Sequence, residues 1–312
     1  MSADTAPAKA SVNSRYWTGF ALAVLGAILF SAKAIVAKLT YRYGVDALTV
    51  MGFRMMFSLP FFAFIALLQA RQARQGKLLR LNRRDAVRIV LLGFIGYYLS
   101  SYLDFLGLQY ISAGLERLIL FLSPTFVLLI SAFYLKRRIS AGQWLAMGLS
   151  YLGVLFAFIQ DLSMAGSNVL LGAGFVLASA FTYAIYLISS GEVLARVGST
   201  RLVAYAMSVS AVYTIIHFLT IKGWQGLVQP LAVYQLSIVH AVFHTVIPTF
   251  MIMWSVARVG APMTSQLGMS GPVSVLFLAA WLLDEPLTAL QLMGTGLVLA
   301  GMIVLSRVRP AN

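Results

Sequence analysis

The strongest constraint on this chain is a series of ten apolar runs, each close to the length that crosses a bilayer. About 20 apolar residues span a membrane as a helix. Lipid offers no hydrogen bonds to the backbone, so each run must satisfy its own, which predicts α-helices. The predicted spans are roughly 17–39, 47–70, 88–109, 114–135, 142–160, 168–190, 202–221, 231–257, 262–283 and 287–306.

The composition agrees with a polytopic membrane protein. Of the 312 residues, 60% are hydrophobic and 10% are charged, whereas a soluble domain carries about 25% charged residues. Cysteine is absent, which excludes disulfides, cysteine-ligated metals and thiol nucleophiles. The polar residues 1–15 are predicted to be a disordered cytoplasmic segment. The apolar run that follows is too long for a signal-peptide core, and we interpret it as a retained helix.

The charged residues predict the orientation. The chain has 23 Lys and Arg against 9 Asp and Glu, a net charge of +14. Such a charge on a soluble protein would suggest nucleic acid, but here the basic residues lie mostly between apolar runs. With the N-terminus inside, 17 fall on the inner side, and only Lys38, Arg42 and Lys222 fall outside. The positive-inside rule therefore predicts that both termini are cytoplasmic.

The chain also repeats itself. Residues 113–153 align without a gap with 261–301, and the first spans of each half align more weakly, through Gly44 with Gly198 and Leu48 with Leu202. The matched positions of the longer alignment include Pro124 with Pro272, Gln143 with Gln291 and Gly153 with Gly301. We therefore predict two five-span repeats, at 16–162 and 166–308.

The charges at one corner of this repeat are reversed between the two copies. Lys136, Arg137 and Arg138 correspond to Asp284, Glu285 and Pro286. Five spans are an odd number, so the second copy must be inverted in the membrane, and the same corner then faces opposite sides. The predicted fold is an all-α integral membrane protein of ten transmembrane helices in an inverted 5+5 repeat, an arrangement typical of secondary transporters.

The stretch "PVSVLFLAAWLLDEPLTALQLMGTGLVLAGMIVL" at 272–305 resembles the end of an EamA domain. The whole pattern resembles the drug/metabolite transporter superfamily, and within it the aromatic amino acid exporters of the YddG type. The first half departs from that pattern with "LKRRIS" at its corner. The resemblance implies export of amino acids or related small metabolites across the bacterial inner membrane by alternating access.

Three alternative functions remain open at this point. The first is an exchanger of phosphorylated metabolites or nucleotide sugars, although the second half has no cation within its spans. The second is an integral-membrane lipid enzyme, for which we find no catalytic constellation. The third is a channel or scaffold. We expect no cofactor and no nucleic acid, with amino acids and the bilayer as partners, and a monomer is compatible with the sequence.

Five ionisable side chains lie within the predicted spans of the first repeat. Each costs about 2.5–3.5 kcal/mol on membrane-insertion scales, which favours a functional interpretation. Mutual ion pairing or snorkelling to the surface is the structural alternative. The five residues are Lys33, Arg54, Asp104, Glu116 and Arg117.

Aromatic and hydroxyl side chains form a second candidate set, because flat rings with polar tips suit an amphipathic substrate. Ordinary helix packing is the alternative for each of them. In the third span, Tyr97, Ser101 and Asp104 share one helical face. Tyr98 and Tyr102 form the adjacent stripe, and Tyr183 and Tyr186 lie one turn apart in the sixth span.

Further candidates lie in the second repeat. His240 and His244 are spaced i, i+4, but no acidic partner is near, so we favour polar cavity lining over a metal site. Gln266 could hydrogen-bond a substrate or a neighbouring helix. We predict a substrate cavity among spans 1, 3, 4, 6, 8 and 9, with hinges at three intramembrane prolines. These are Pro124, Pro248 and Pro272.

The charge bias yields a direct test of orientation. Single cysteines are introduced at position 137 or 284 of this cysteine-free chain. In intact cells, an impermeant thiol reagent should label position 284 and leave position 137 unlabelled until the membrane is permeabilised. Labelling of position 137 from outside would contradict the predicted orientation.

Overall fold

The computed structural model describes residues 7–134, 139–165, 168–260, 263–264 and 267–307. Regular structure within these residues is entirely helical. We number the α-helices as follows: α1 Pro7–Ser31, α2 Lys33–Tyr41, α3 Ala47–Arg74, α4 Arg83–Leu92, α5 Ser100–Leu108, α6 Ala113–Leu120, α7 Ser123–Tyr134, α8 Ala141–Ala165, α9 Val169–Val197, α10 Ser199–Lys222, α11 Leu231–Ala241, α12 Ile247–Val259, α13 Ser270–Leu282 and α14 Ala289–Arg307.

The helices account for the apolar runs. In the described part of the chain, nine helical segments are long and apolar enough to cross a membrane. The remaining run contains α13, which has 13 residues and follows a stretch that includes residues outside the description. Spans 1, 3, 4 and 8 each consist of two helices, which are α1–α2, α4–α5, α6–α7 and α11–α12. The fold is all-α, as predicted.

Helix α1 begins at Pro7, inside the N-terminal stretch for which the sequence predicts disorder. Proline suits the first position of a helix, where its missing N–H would have no partner. Alanine, which occurs at positions 8 and 10, has the highest helix propensity. Local propensity therefore accounts for helix in a polar segment.

Backbone irregularities recur at matching places in the two halves. Span 3 contains a π-helical segment at Gly93–Leu99, and span 8 contains one at Val242–Val246. Gly44 and Gly198, aligned in the sequence, both adopt positive φ angles, of 76° and 80°. These coincidences agree with the predicted repeat. The basic corner at residues 136–138 lies outside the described residues.

Helix pairing follows the same symmetry. Helices α3 and α10, α6 and α13, and α8 and α14 pack as equivalent spans of the two repeats. The pair α5 with α9 corresponds to the pair α12 with α1 when the repeats are exchanged. This pattern is what a two-fold relation between inverted repeats requires.

Each of the three predicted hinge prolines lies in the first turn of an α-helix that follows a turn or a π-helical segment. Pro124 is the second residue of α7, Pro248 the second of α12 and Pro272 the third of α13. At these positions a proline forfeits few helical hydrogen bonds and its fixed φ angle is favourable. A turn thus interrupts the helix shortly before Pro124 and Pro272, in spans 4 and 9, whereas Pro248 follows the π-helical segment of a continuous span 8.

Spans 5 and 10 approach so closely that side chains are excluded between them. A Cβ atom on Gly153 would lie 2.8 Å from Val298 Cγ2 and closer still to the Gly294 carbonyl oxygen. Small residues let membrane helices pack backbone to backbone. In contrast, a Cβ on Gly148 of the same helix would meet no atom within 4 Å.

This contrast predicts the stability of two matched variants. Gly153→Val should lower the free energy of unfolding by about 1–3 kcal/mol, because the added methyl groups force α8 and α14 apart. Gly148→Val serves as the control. Reversible SDS-driven unfolding of both variants measures the difference, and equal stabilities would refute the packing of this helix pair.

Candidate functional site

A cavity of about 480 Å³ lies between the two repeats. Its wall is built mainly from spans 1, 3 and 4 of the first repeat and spans 6, 8 and 9 of the second. These are the six spans among which the sequence predicts a substrate cavity. The volume falls in the range of about 300–1,000 Å³ that is typical of small-molecule sites.

Four of the five intramembrane ionisable side chains converge on this wall. Lys33 opens α2, and its Nζ lies 2.5 Å from Oδ2 of Asp104 in α5. The same Nζ lies 3.8 Å from Oε1 of Glu116 in α6. Lys33, Asp104 and Arg117 line the cavity, while Glu116 is fully buried behind them. We call Lys33, Asp104, Glu116 and Arg117 the buried ion cluster.

Arg117 fixes the break in span 1. Its guanidinium donates from Nη2 to the carbonyl oxygen of Ser31 at 2.9 Å and to that of Phe30 at 3.4 Å. Both carbonyls lie at the end of α1, where the last turn of a helix leaves acceptors without a partner. Arg117 thereby ties span 4 to the point where span 1 is interrupted.

Arg54, the fifth ionisable residue, lies just outside the cavity wall. Its guanidinium carbon lies 4.8 Å from the centroid of the Phe105 ring, a cation–π distance. The His240 ring packs on the same phenylalanine, with the centroids 5.5 Å apart. His240 is fully buried, so the structure places it behind the cavity wall and not in it.

The aromatic candidates divide into two groups. Tyr97 and Tyr183 line the cavity, as does Ser101. Tyr186 lies behind Tyr97, with the two hydroxyl oxygens 3.2 Å apart. It also lines a second pocket of about 390 Å³ between spans 3 and 6.

Tyr98 and Tyr102 lie outside the cavity wall. Their rings stack on each other with centroids 6.4 Å apart, and the Tyr98 hydroxyl lies 2.9 Å from Nδ1 of His217 in α10. Because His217 lies in span 7, the stripe formed by Tyr98 and Tyr102 faces α10 and not the cavity. The sequence analysis missed His217, and no periodicity in the sequence singles it out.

The other candidates are also placed. His244 Nδ1 lies 2.7 Å from the carbonyl oxygen of Leu29 in α1, and Pro124 lines the cavity. Gln266 lies outside the described residues. Sequence analysis also missed Phe30 and Phe121, which line the cavity. Phe30 could have been found, because it precedes Lys33 by one helical turn.

Together these features define a multi-pass membrane protein in which two inverted repeats enclose a cavity with charged and aromatic walls. The chain belongs to the EamA-like transporter family, which matches it twice, at residues 17–159 and 170–307. The fold and the family agree with the resemblance seen in the sequence.

Individual relatives are consistent with this membership. The chain is 31% identical over 284 residues to an uncharacterized transporter, YcbK, of Bacillus subtilis, covering 88% of each chain. It is 30% identical over 204 residues to a probable amino-acid metabolite efflux pump of Escherichia coli, covering 62% of this chain and 67% of that protein. A crystal structure with 16% identity covers 94% of this chain and 96% of its own, with a TM-score of 0.59.

The geometry of the buried ion cluster predicts its energetic role. Lys33→Met should lower the free energy of unfolding by about 3–5 kcal/mol, because it leaves the buried Asp104 carboxylate without its cation. Adding Asp104→Asn should restore much of the loss.

The matched control for this experiment is Arg88→Met. It breaks the pair between Arg88 and Glu192, whose side chains are 51% and 79% exposed, and it should cost at most about 1 kcal/mol. The measurement is again SDS-driven unfolding. A Lys33→Met protein as stable as the Arg88→Met protein would contradict the role of the cluster.

Proposed function

We propose that this transporter exports amino acids, aromatic and other hydrophobic ones above all, across the bacterial inner membrane. The observation that carries the proposal is the juxtaposition of the buried ion cluster with aromatic rings on one cavity wall. One E. coli relative bears the name of a probable amino-acid metabolite efflux pump, which supports the same substrate class.

The charges of the site suit an amino-acid zwitterion. Lys33 and Arg117 are cations that can attract the carboxylate, and Asp104 is an anion that can attract the ammonium group. Arg54 lies near the same cluster, and the three cations Lys33, Arg54 and Arg117 outnumber its two carboxyl groups, so the site carries an excess of positive charge. A buried excess charge is costly, so a ligand carboxylate would stabilise the site.

The rings account for the preference for apolar side chains. Phe30, Tyr97, Phe121 and Tyr183 contribute aromatic surface to the cavity. Ring pairs stabilise binding by about 0.5–1.5 kcal/mol beyond the burial of area. An aromatic substrate side chain would therefore lie among these rings while its polar head contacts the buried ion cluster.

Contacts between the repeats support alternating access. At the end of the molecule that we predict to be extracellular, Lys38 Nζ lies 3.3 Å from Oε1 of Glu285. The same carboxylate accepts from the backbone N–H of Ala113 at 3.1 Å, and Arg42 donates to the carbonyl oxygen of Leu283 at 3.2 Å. These contacts close that end, and outward release requires them to break.

The cavity extends in the opposite direction. Val256 near the end of α12 and Thr264 beyond it line the cavity, and both lie toward the side that we predict to be cytoplasmic. Substrate would enter from that side, and breaking the contacts of Glu285 would release it on the other.

Reconstitution into proteoliposomes tests the proposed function. Liposomes loaded with unlabelled phenylalanine should accumulate external labelled phenylalanine by counterflow. Labelled alanine should enter more slowly, and labelled glucose 6-phosphate should not enter. Protein-free liposomes are the control. Absence of counterflow for every amino acid in a panel, with folded protein, would contradict the proposal.

A matched pair of variants tests the aromatic wall. Tyr183→Ala should raise the apparent KM for phenylalanine about two- to tenfold, since one ring contact is lost, with a smaller effect on alanine. Tyr213→Ala, in a ring cluster with Phe94 and Tyr98 away from the cavity, should leave both values unchanged. Equal effects of the two variants would place the substrate elsewhere.

A further inference from the structure

Glu116 is a buried carboxylate to which none of the described residues donates a hydrogen bond. It is 0% exposed, and neither Oε1 nor Oε2 accepts a hydrogen bond from any described residue. Its two nearest cationic atoms, Lys33 Nζ and Arg117 Nε, lie 3.8 Å and 3.9 Å away. These distances exceed those of charge-assisted hydrogen bonds, which are about 2.7–2.9 Å.

Both neighbouring cations have better partners. Lys33 lies 2.5 Å from Asp104, and Arg117 donates to the carbonyl oxygens of Phe30 and Ser31. A buried ion pair offsets the desolvation of its charges only when its geometry is excellent and its lone pairs are satisfied. The ionised form of Glu116 therefore lacks the contacts that would stabilise it here.

Asp104 also has a carboxylate oxygen without a hydrogen-bond donor among the described residues. Its Oδ1 is buried and accepts no hydrogen bond from the described residues, while its Oδ2 contacts the ammonium of Lys33. The carboxyl groups of Asp104 and Glu116 both lie beside the single ammonium group of Lys33. Between them they have three oxygen atoms to which no described residue donates a hydrogen bond. A proton on one carboxyl group would supply a donor and would remove one of two like charges.

The surroundings add both signs of charge. Tyr41 donates its hydroxyl to the carbonyl oxygen of Phe105, and Asp161 and Glu285 accept from the backbone at the start of α6. Titratable or charged groups on the helices packed against α6 include Lys33, Lys38 and Tyr41 of α2, Asp104 of α5, Asp161 of α8 and Tyr183 of α9, and Glu285 follows α13. Arg54 and His240 pack on Phe105 of α5.

We propose that Glu116 and Asp104 together hold one proton, and that this proton exchanges with the ammonium group of the bound substrate. The inference rests on the proposed function, since it names the coupling ion of the same site. In the empty site the proton lies on the Glu116 carboxyl group, and Asp104, on the cavity wall, is its path to water.

The exchange conserves charge at the carboxylate pair of Asp104 and Glu116. When a zwitterion binds, its –NH3+ group brings one positive charge to the carboxylate pair, and the proton leaves Glu116 through Asp104 to water in the cavity. Its carboxylate meanwhile contacts Lys33 and Arg117. Each cycle then moves one neutral amino acid outward and one proton inward, so both the pH gradient and the membrane potential drive export.

The experiment measures protons released by the purified, detergent-solubilised protein when phenylalanine is added. A pH-indicator dye in weakly buffered solution reports release, and equilibrium binding of labelled phenylalanine reports occupancy. The wild-type protein should release about one proton per phenylalanine bound near neutral pH, by thermodynamic linkage. Glu116→Gln should bind phenylalanine and release none.

Glu192→Gln is the matched control, because Glu192 is an exposed carboxylate on α9, and it should behave as wild type. Failure of every amino acid to bind would contradict the proposed function itself. Binding by the wild-type protein without proton release would overturn only the present inference, and this result does not depend on the folding of any variant. Undiminished release from Glu116→Gln would overturn the assignment to Glu116.

Discussion

The structure depends on the cost of placing charge inside a membrane. Lys33, Asp104, Glu116 and Arg117 lie on spans 1, 3 and 4 and are each at least nine-tenths buried. None of these charges is tolerable alone in hydrocarbon, so the three spans must meet at one point. Their meeting point forms the wall of the central cavity. The pairing of buried charges that brings spans 1, 3 and 4 together thus also forms a polar surface suited to a zwitterion.

The interruptions of the helices follow from the same cluster. Span 1 breaks between Ser31 and Lys33, and Arg117 satisfies carbonyl groups released at the break. The second repeat has a turn before Pro272 and a π-helical segment before Pro248, and its described residues contribute no charged side chain to the cavity wall. The two repeats therefore have the same scaffold but different roles. The first supplies the ionic groups of the cavity, and the second supplies the uncharged wall that faces them.

The sequence predicts the scaffold well, because span length, charge bias and a matched repeat are local patterns. It also singles out the five intramembrane charges, because their burial is costly, but it leaves open whether they pair with one another; the contact of Lys33 with Asp104 comes from the structure. It does not distinguish the stripe of Tyr97 and Ser101 from that of Tyr98 and Tyr102. Both stripes are aromatic and polar. The contact of Tyr98 with His217, on a span distant in sequence, shows that the second stripe faces away from the cavity. Propensity alone also leaves the irregular π-helical turns of spans 3 and 8 unpredicted.

The most direct test of this account is an experimental structure of the protein with phenylalanine bound in a lipid nanodisc. The account predicts density for the amino acid in the central cavity, with its carboxylate within hydrogen-bond distance of Lys33 or Arg117, its ammonium beside Asp104 and its ring near Tyr183. Phenylalanine bound elsewhere, with the cavity empty and the contact between Lys33 and Asp104 undisturbed, would contradict it.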